Sequence, residues 1–600
     1  MKNFCVLIFL LFFYSASPQT DKRLKGLEQE LTEILKVTKA PGFAVAIVEG
    51  ERIIYSKGFG YSDYENKVLA DANTLYAIGS CSKAFTSGLL GLLQKEDKIS
   101  LDDNPRKYLK NLEFSSNDLN DNLIIKDLMS HRTGLPRHDY SWYLFPTTDV
   151  DSMMMRIKYQ EPFTGIRQQW YYNNFMFLVQ GALTEEITGK SWQDNVKEKF
   201  FDPLGMNRSN STIEEMKQSK NAAIGYGLNK DEKIKKLDYY NISSMSPAGS
   251  INSSVNDMAR WVVTWLNKGK FNGKEILPEI YVQDAMSSHS IVDAGLPDEE
   301  FPFMFFHNYG YGWFLSSYRG HYRVEHGGNI DGFSANTSFY PTEKIGIIVL
   351  TNQDVSALPS LVRNTISDRF LETEKTNWAE RYNKRKSEQE DAKKEAKVSN
   401  TSSRIENTKP SHIIHDYTGI YENPGYGKFN IKVENDSLYA IFKLKKLCLK
   451  HYHYDVFQPL EVTEDGIEAS DDVGLLFNFS TNDTGDISGL RMKIEPTLDG
   501  IEFNRSPITI DVDTYLLEKY VGDYQLMDTP IKVYLKDENK LFLFVPGQPE
   551  YELLPTAKHK FSFKALEGFK VEFVESTAGL FDKINLFQPN GTFQANRKME

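Results

Sequence analysis

One stretch constrains this chain more than any other, residues 77–93, in which a turn of small residues runs into an apolar segment of helical length. If a helix begins near Ser80, then Lys83 lies one turn further along the same face. The Lys83 ammonium is then within reach of the Ser80 hydroxyl. The apolar side of such a helix would be buried, and it is formed by Leu89, Leu90, Leu92 and Leu93.

This spacing suits nucleophilic catalysis. A lysine amine in apolar surroundings can lose its proton near neutral pH and accept one from Ser80, directly or through a relay. A helix N-terminus also favours the negative charge that develops during attack. The structural alternative is that Ser80 only caps the helix, because Ser-x-x-Lys is short enough to occur by chance. The rest of the chain decides between the two.

Composition excludes some classes of partner. At 600 residues the chain is too long for one hydrophobic core, and its length predicts about three or four domains. The net charge is −12, from 70 basic and 82 acidic residues, with no dense basic run. We therefore expect neither nucleic acid nor anionic lipid as a partner.

Residues 1–20 have the pattern of a secretory signal peptide, with an apolar run from Val6 to Tyr14 followed by small residues near a cleavage site. No later apolar run approaches the roughly 18 residues that span a bilayer. We expect a secreted or periplasmic protein with no integral membrane segment after signal removal. Cys81 and Cys448 then remain, far apart in the sequence, and predict no disulfide framework.

Two other stretches, 171–174 and 325–333, predict special loops rather than core. The first, Tyr-Tyr-Asn-Asn, stands at the start of a predicted helix, and the second, beginning Glu-His-Gly-Gly-Asn, precedes a predicted strand. Singly, each has a structural explanation, because an Asn at a helix start is commonly a cap and a Gly pair beside a strand is commonly a turn. Their order after Ser80 and Lys83 carries the information.

Three motifs follow one another in the chain: Ser-x-x-Lys, then Tyr-x-Asn about ninety residues later, then a His-x-Gly triplet near the end of the domain. This order resembles that of the serine β-lactamase and penicillin-binding-protein superfamily. The nearest match within it is the class C β-lactamase-like group, peptidase family S12. The resemblance covers residues 25–370 and includes supporting stretches at 55–61, 128–136, 203–206, 247–250 and 309–313.

The resemblance implies roles for particular residues. Ser80 would be the acylated nucleophile, Lys83 its activating amine, Tyr172 the group that shuttles the proton, and Asn174 the residue that holds the substrate amide. The alternative register, Tyr171 with Asn173, fits the bare Tyr-x-Asn pattern too. A tyrosine beside positive charges would have a lowered pKa, as a base requires.

The same resemblance implies an oxyanion hole formed by the backbone N–H groups of Ser80 and Asn329. Gly327 and Gly328 would keep a strand edge free of side chains, so that substrate can lie along it. Many relatives have Lys where this chain has His326, and a mostly neutral His would anchor a substrate carboxylate less well. This difference shifts the expectation from penicillins toward D-residue peptides, amides or esters. The surroundings of His326 lack the ligand spacing of a metal site.

The sequence beyond the hydrolase region changes character. Residues 373–410 are highly charged and predict a solvent-exposed helical linker after a hydrolase domain at 21–372. Two copies of one β module follow, at 411–508 and 509–600, and resemble the lipocalin-like extensions of some S12 proteins. The repeat pairs Tyr417, Gly419 and Tyr421 with Tyr520, Gly522 and Tyr524, and Gly474, Phe479 and Gly485 with Gly568, Phe573 and Gly579.

The predicted fold class is α+β, an antiparallel sheet flanked by helices with a helical subdomain, followed by two small all-β barrel-like modules. The predicted function is an exported serine hydrolase acting through a Ser80 acyl-enzyme on a small-molecule or peptide substrate, without metal or organic cofactor. One alternative is a β-lactamase or D-alanyl-D-alanine carboxypeptidase. Another is a non-catalytic binder of cell-wall peptides or saccharides. The sequence leaves the oligomeric state open.

Overall fold

The computed structural model describes residues 21–598, apart from 239–240, 294, 298–301, 400–403, 464–465, 470–474, 538, 567 and 578. The predicted signal peptide at 1–20 and Gly474 of the repeat lie outside the described residues. The chain forms two compact units. The first contains the segments up to 109, 124–132 and 176–399, and the second contains 110–123, 133–175 and the chain from 400 onward.

A nine-stranded antiparallel sheet forms the centre of the first unit. Its strands are β1 (Gly42–Glu49), β2 (Arg52–Asp63), β3 (Val68–Leu69), β4 (Ser290–Asp293), β5 (His307–Tyr309), β6 (Phe314–Tyr318), β7 (His321–Ile330), β8 (Phe333–Tyr340) and β9 (Ile345–Thr351). Their spatial order is β4-β5-β6-β7-β8-β9-β1-β2-β3. The chain returns to β1 through β9, so the first and last strands of the hydrolase region are neighbours.

Helices of the first unit pack against this sheet. Among the described residues of both units, the longer helices are α1 (Leu27–Thr38), α2 (Lys83–Lys95), α3 (Phe175–Thr188), α4 (Val255–Leu266), α5 (Leu358–Phe370) and α6 (Trp378–Ser399). Shorter α-helices lie at Asn117–Asn122, Ile125–Met129, Tyr140–Tyr143, Val150–Met155, Trp192–Val196, Asp202–Leu204, Ile213–Gln218, Ser246–Gly249 and Glu279–Ala285.

The central strands are apolar nearly throughout because helices cover both faces of the sheet. On one face, Val45 and Ile47 of β1 belong to a core shared with α1 and α5. On the other face lies α4, whose Val262 occupies the space that a side chain at Gly346 would need. A strand buried on both sides cannot alternate polar and apolar residues, which explains the uninterrupted run in β9.

Helix α6 differs from the predicted solvent-exposed linker at its first turn. Trp378 is only 5% exposed and belongs to the same core as α1 and α5. Its indole N–H donates to a carboxylate oxygen of Asp368 at 2.8 Å. The charged residues that follow dominated the sequence pattern, whereas one buried tryptophan fixes where the helix starts.

The first β module is a ring of strands in the second unit. Its strands are β10 (Gly419–Asn423), β11 (Gly427–Glu434), β12 (Ser437–Ile441), β13 (Lys446–His453), β14 (Val456–Thr463), β15 (Gly466–Ala469), β16 (Phe477–Thr481), β17 (Ile487–Met492) and β18 (Ile501–Ser506). The pairing order is β13-β12-β11-β10-β18-β17-β16-β14-β15, and a further β13–β14 pairing closes eight of them into a barrel.

The 133–175 segment of the second unit contributes to the core of this barrel. Leu144 and Phe145 are 7% and 6% exposed and lie among the aromatic side chains of the module. The Phe145 ring stacks on Phe503 with centroids 5.9 Å apart. Burying each of these side chains contributes about 1.5–3 kcal/mol to stability. The segment and the module therefore share one hydrophobic core.

The second β module is a closed eight-stranded barrel preceded by α7 (Thr514–Tyr520). Its strands are β19 (Gly522–Leu526), β20 (Thr529–Lys536), β21 (Lys540–Phe544), β22 (Tyr551–Ala557), β23 (Lys560–Phe563), β24 (Lys570–Glu575), β25 (Phe581–Gln588) and β26 (Gly591–Arg597). The structure thus confirms the α+β class followed by two barrel-like modules. Within the described residues, no helix is both long and apolar enough to cross a membrane.

Candidate active site

The predicted nucleophile lies on a tight turn that leads into α2. Residues Gly79–Ser82 form one turn of 3-10 helix, and α2 continues it from Lys83. The Ser82 hydroxyl donates to the Gly79 carbonyl at 2.8 Å and accepts from the N–H of Ile251 at 3.1 Å. Ser82 therefore ties the turn together, while Ser80 stays half-buried at its tip.

Lys83 is fully buried and reaches back to Ser80. Its Nζ lies 3.0 Å from Ser80 Oγ and donates to the carbonyl oxygen of Ala248 at 2.7 Å. The ring of Phe177 lies beside it, with 5.2 Å between Nζ and the ring centroid. The amine is thus held between one polar anchor and one aromatic wall, with the Ser80 hydroxyl in hydrogen-bond reach.

The carbonyl of Ala248 is a functional group that the sequence analysis did not assign. It belongs to the short helix Ser246–Gly249, whose Pro247 carbonyl also accepts from Thr86 of α2 at 2.6 Å. Space for this helix exists because Gly181 of α3 has no side chain where Pro247 lies. The 247–250 stretch supported the family resemblance, and it could have indicated this anchor.

The edge of β7 approaches the same turn. The β6–β7 ladder ends at Glu325, and within the described strands residues 326–330 pair only with β8. There is no room for a side chain at Gly328, because one would strike the Ile78 carbonyl at 1.9 Å. Gly79 has a φ of +50°, and a Cβ there would lie 2.9 Å from the Asn329 nitrogen. These glycines let the two backbones meet.

The Asn329 side chain turns away from that edge. Its Oδ1 accepts from the Ser334 hydroxyl at 2.8 Å and from the Val355 N–H at 2.9 Å. Gly327, two residues earlier, is exposed. The residues predicted to form the oxyanion hole and the strand edge, Ser80, Gly327, Gly328 and Asn329, all belong to the first unit.

His326 is buried, with 2% of its surface exposed, and one ring nitrogen lies 3.0 Å from the Tyr309 hydroxyl. The other ring nitrogen lies 2.6 Å from the Gly327 carbonyl oxygen. Burial, assisted by the positive charge of Lys83, lowers the pKa of His326 to about 3. The imidazole is therefore neutral at physiological pH, and it supplies no fixed positive charge in the place where many relatives have Lys.

The thiol next to the nucleophile is Cys81, which donates to the His326 carbonyl at 3.1 Å. Burial raises its pKa to about 12, so it is a protonated and unreactive thiol rather than a second nucleophile.

Tyr172 and Asn174 belong to the second unit, in the 133–175 segment. The Asn174 amide donates to Asp139 Oδ1 at 2.9 Å, and the Arg137 guanidinium carbon lies 4.8 Å from the centroid of the Tyr172 ring. Arg137 also pairs with Asp139 at 2.6 Å. Arg137 and Asp139 thus orient both candidate residues, although no sequence pattern pointed to either.

The neighbouring residues of the alternative register have packing roles. Asn173 is fully buried, and its amide donates to the Pro136 carbonyl at 2.5 Å. The Tyr171 ring packs edge-on against Phe163, with centroids 4.9 Å apart. Burial, with the charge of Glu495, raises the Tyr171 pKa. Tyr172 and Asn174 are buried as well, at 9% and 7% exposed, so the choice between the two registers stays a prediction. Among the described residues, no group of three or more His, Cys, Asp or Glu side chains could hold a metal ion.

The fold and this arrangement of serine and lysine define a serine hydrolase of the β-lactamase and penicillin-binding-protein superfamily. Residues 27–367, more than half of the chain, match the family described as Beta-lactamase, and the chain belongs to that family. Residues 403–507 match a domain of unknown function, DUF3471, which corresponds to the first β module.

The chain is also similar to named relatives, one of which is called a hydrolase. The chain is 26% identical over 442 residues to unguisins hydrolase ungD of Aspergillus violaceofuscus, covering 68% of this chain and 76% of the relative. It is 24% identical over 347 residues to protein flp of Staphylococcus aureus strain N315, covering 58% and 66%. A solved octameric penicillin-binding protein homologue from Pyrococcus abyssi has the same fold, with a TM-score of 0.51, 21% identity, and coverage of 80% of this chain and 100% of that one.

Proposed function

We propose that this protein hydrolyses amide or ester bonds of peptides containing D-residues, through an acyl-enzyme on Ser80. The observation that carries the proposal is the 3.0 Å distance between Lys83 Nζ and Ser80 Oγ, with the amine fully buried. An amine in this position, when neutral, accepts the hydroxyl proton as the oxygen attacks.

In the first half of the proposed reaction, Ser80 Oγ bonds to the substrate carbonyl carbon and its proton passes to Lys83. The oxyanion is stabilised by the backbone N–H groups of Ser80 and Asn329. Collapse of the tetrahedral species breaks the bond to the leaving group, which takes up the proton. By the family pattern Tyr172 carries this proton and Asn174 holds the substrate amide. Water then cleaves the acyl-enzyme by the same route in reverse.

The neutral state of His326 supports the choice of substrate class. A substrate with a free carboxylate next to the scissile bond gains from a fixed positive charge, as Arg or Lys provides. His326, with a pKa of about 3, provides none. Amides, esters and internal peptide bonds have no free carboxylate beside the scissile bond, so their binding does not depend on a positive charge at this position. They are therefore the preferred substrates.

Active-site labelling tests the nucleophile. A fluorophosphonate probe should add once, on the peptide that contains Ser80, and Ser80→Ala should abolish the addition. Ser87→Ala is the matched control, because Ser87 is a buried serine on the same helix that bonds to Gln180 at 2.9 Å. Labelling that persists in Ser80→Ala contradicts the proposal, and so does its loss in Ser87→Ala if that variant is folded.

A substrate panel tests the class. D- and L-amino-acid p-nitroanilides, short-chain esters, a D-alanyl-D-alanine peptide and nitrocefin should be compared on one preparation. We expect turnover of D-amino-acid amides and esters to exceed that of nitrocefin and of the carboxylate-bearing peptide. The reverse order would indicate a β-lactamase or carboxypeptidase. A protein that binds these peptides without turnover would be a non-catalytic binder.

We also propose that the protein is exported, on the basis of the signal-like pattern of residues 1–20. N-terminal sequencing of the protein from its native host should find a mature start near residue 20. A mature protein that retains Met1 would contradict export by this route.

A further inference from the structure

The first β module is tied to the 133–175 segment at several points within the second unit. The backbone N–H of His138 donates to Glu495 Oε2 at 2.8 Å, and a His138 ring nitrogen lies 2.8 Å from the Tyr426 hydroxyl. The Ser141 hydroxyl donates to the Gly425 carbonyl at 2.7 Å. Glu495 is 2% exposed and His138 is 1% exposed, so these are interior contacts rather than a loose surface association.

The module is shaped to receive the segment. Gly427 has a φ of +138°, and a Cβ there would lie 3.0 Å from the Phe145 ring. At Gly425, a Cβ would lie 2.9 Å from the Cβ of Tyr159. Two glycines flanking Tyr426 therefore leave space for two aromatic side chains of the segment.

His138, which these contacts hold in place, is next in sequence to the two residues that contact Tyr172 and Asn174. His138 stands between Arg137, which lies over the Tyr172 ring, and Asp139, which accepts from the Asn174 amide. Fixing the His138 backbone and ring fixes the path of the chain on either side of it. Thr497, next to Glu495 on the module, donates to Glu495 Oε1 at 3.3 Å and so orients the carboxylate.

We infer that the first β module is a positioning element of the hydrolase, and that Glu495 is the positioning residue through which it sets Arg137 and Asp139, and hence Tyr172 and Asn174. The inference rests on the proposed function, because it takes Tyr172 and Asn174 to be the proton shuttle and the amide-binding residue. It gives a role to a module whose family description assigns none.

The test compares Glu495→Ala with Glu495→Gln. Ala leaves the buried His138 N–H without its acceptor, whereas Gln keeps a carbonyl oxygen for it and an amide for Thr497. We expect kcat/KM for a D-amino-acid p-nitroanilide to fall by about tenfold or more in Glu495→Ala and by about threefold or less in Glu495→Gln. Fluorophosphonate labelling of Ser80 should stay within about threefold of wild type in both.

Controls come from the same module. Glu502→Ala removes a carboxylate that is 73% exposed and should leave turnover unchanged. Tyr426→Phe removes the hydroxyl that lies 2.8 Å from a His138 ring nitrogen and should lower turnover. Tyr421→Phe removes a buried hydroxyl that donates inside the barrel, to the Tyr417 carbonyl at 2.9 Å, and should not. A merely structural role would make both tyrosine variants behave alike.

Amide hydrogen exchange separates this inference from the proposed function. Peptides covering 136–145 and 171–174 should exchange faster in Glu495→Ala than in Glu502→Ala, whatever the substrate proves to be. If wild type turns over no substrate yet exchange responds, the proposed function fails and the positioning link stands. If exchange and turnover are the same in Glu495→Ala and wild type, the inference is wrong.

Discussion

The two β modules have the same architecture, but only the first shares its hydrophobic core with the 133–175 segment. The comparison shows how one copy of a repeat can become part of the hydrolase. In each, a tyrosine hydroxyl donates to the backbone of an earlier tyrosine: Tyr421 to Tyr417 at 2.9 Å, and Tyr524 to Tyr520 at 3.0 Å. The repeated Tyr-x-Gly-x-Tyr pattern is therefore a structural device, a corner that starts the barrel.

The hydrophobic cores of the two modules differ in which parts of the chain contribute side chains to them. Within the part of the chain that the structure describes, the core of the second module is formed by residues between 512 and 595. The core of the first module includes Leu144 and Phe145, from a segment more than 250 residues earlier in the chain. The first module also carries Gly425 and Gly427 at the point of entry. A barrel whose core is formed by its own residues can fold independently of the hydrolase region. A barrel whose core includes side chains of the hydrolase region folds together with that region.

Truncation gives the largest expected effect. A chain ending at residue 508 retains the first module and should hydrolyse its best amide substrate within about threefold of the full-length rate. A chain ending at 399 exposes Leu144 and Phe145 and should lose activity by about 100-fold or more, or become insoluble. Rates and solubility of the two chains decide this. Equal activity of the two truncated chains would show that the hydrolase needs neither module.

Core truncation of one phenylalanine in each module should separate stability from activity. Phe145→Ala and Phe573→Ala each remove a nearly buried ring and should each cost about 3–5 kcal/mol of unfolding free energy. At a temperature where both variants stay folded, only Phe145→Ala should lower turnover. Denaturant unfolding and kinetics on the same samples provide the check. A loss of turnover in Phe573→Ala would show that the second module also supports the site.

Acid should destabilise the first module through His138, whose pKa burial lowers to about 4. As the pH falls from about 6.5 toward 4, His138 becomes protonated in the unfolded chain but stays neutral in the folded chain. The free energy of unfolding therefore decreases by up to about 3 kcal/mol. Above pH 6.5 the effect is absent. Unfolding measured across this range should show a shallower decline in His138→Gln than in wild type.

The second module offers the control for that pH dependence. His559 also has a pKa lowered by burial, but it is only half-buried. His559→Gln should therefore change the slope less than His138→Gln does. The opposite ranking would place the acid-sensitive contact in the second module.

Glycine substitution gives the smallest expected effect. Gly427 and Gly591 have nearly the same φ, +138° and +142°, but only Gly427 faces an aromatic ring of the 133–175 segment, whereas a Cβ at Gly591 would meet ordinary contacts at 3.8 Å or more. Both Ala variants bear the same backbone strain. Gly427→Ala should therefore be the less stable by about 1–3 kcal/mol. Equal losses would mean that Phe145 moves aside without cost.

The sequence predicted the features that depend on short spacings. Residues three apart on a helix predicted that Lys83 could reach Ser80, and the distance is 3.0 Å. The repeat of a short motif predicted two copies of one β module, and both are barrels.

The features that the sequence did not predict depend on contacts between distant parts of the chain. Leu144 and Phe145 are ordinary apolar residues in a loop, and no periodicity connects them with Gly427. The anchor of Lys83 is a backbone carbonyl, at Ala248, which has no signature in residue type. Trp378 was hidden by the charges that follow it. Gly425 and Gly427 gave no signal either, because glycines are common in the turn that joins two antiparallel strands.

The contact between His138 and Glu495 also has a consequence for synthesis. The two residues are 357 positions apart, and a ribosome adding about 5–20 residues per second needs roughly 20–70 s to make the intervening chain. Until then the nascent 133–175 segment has no partner for Leu144 and Phe145. The hydrolase can therefore mature only late in translation, and a chain that terminates early would carry the serine without the scaffold that makes it competent.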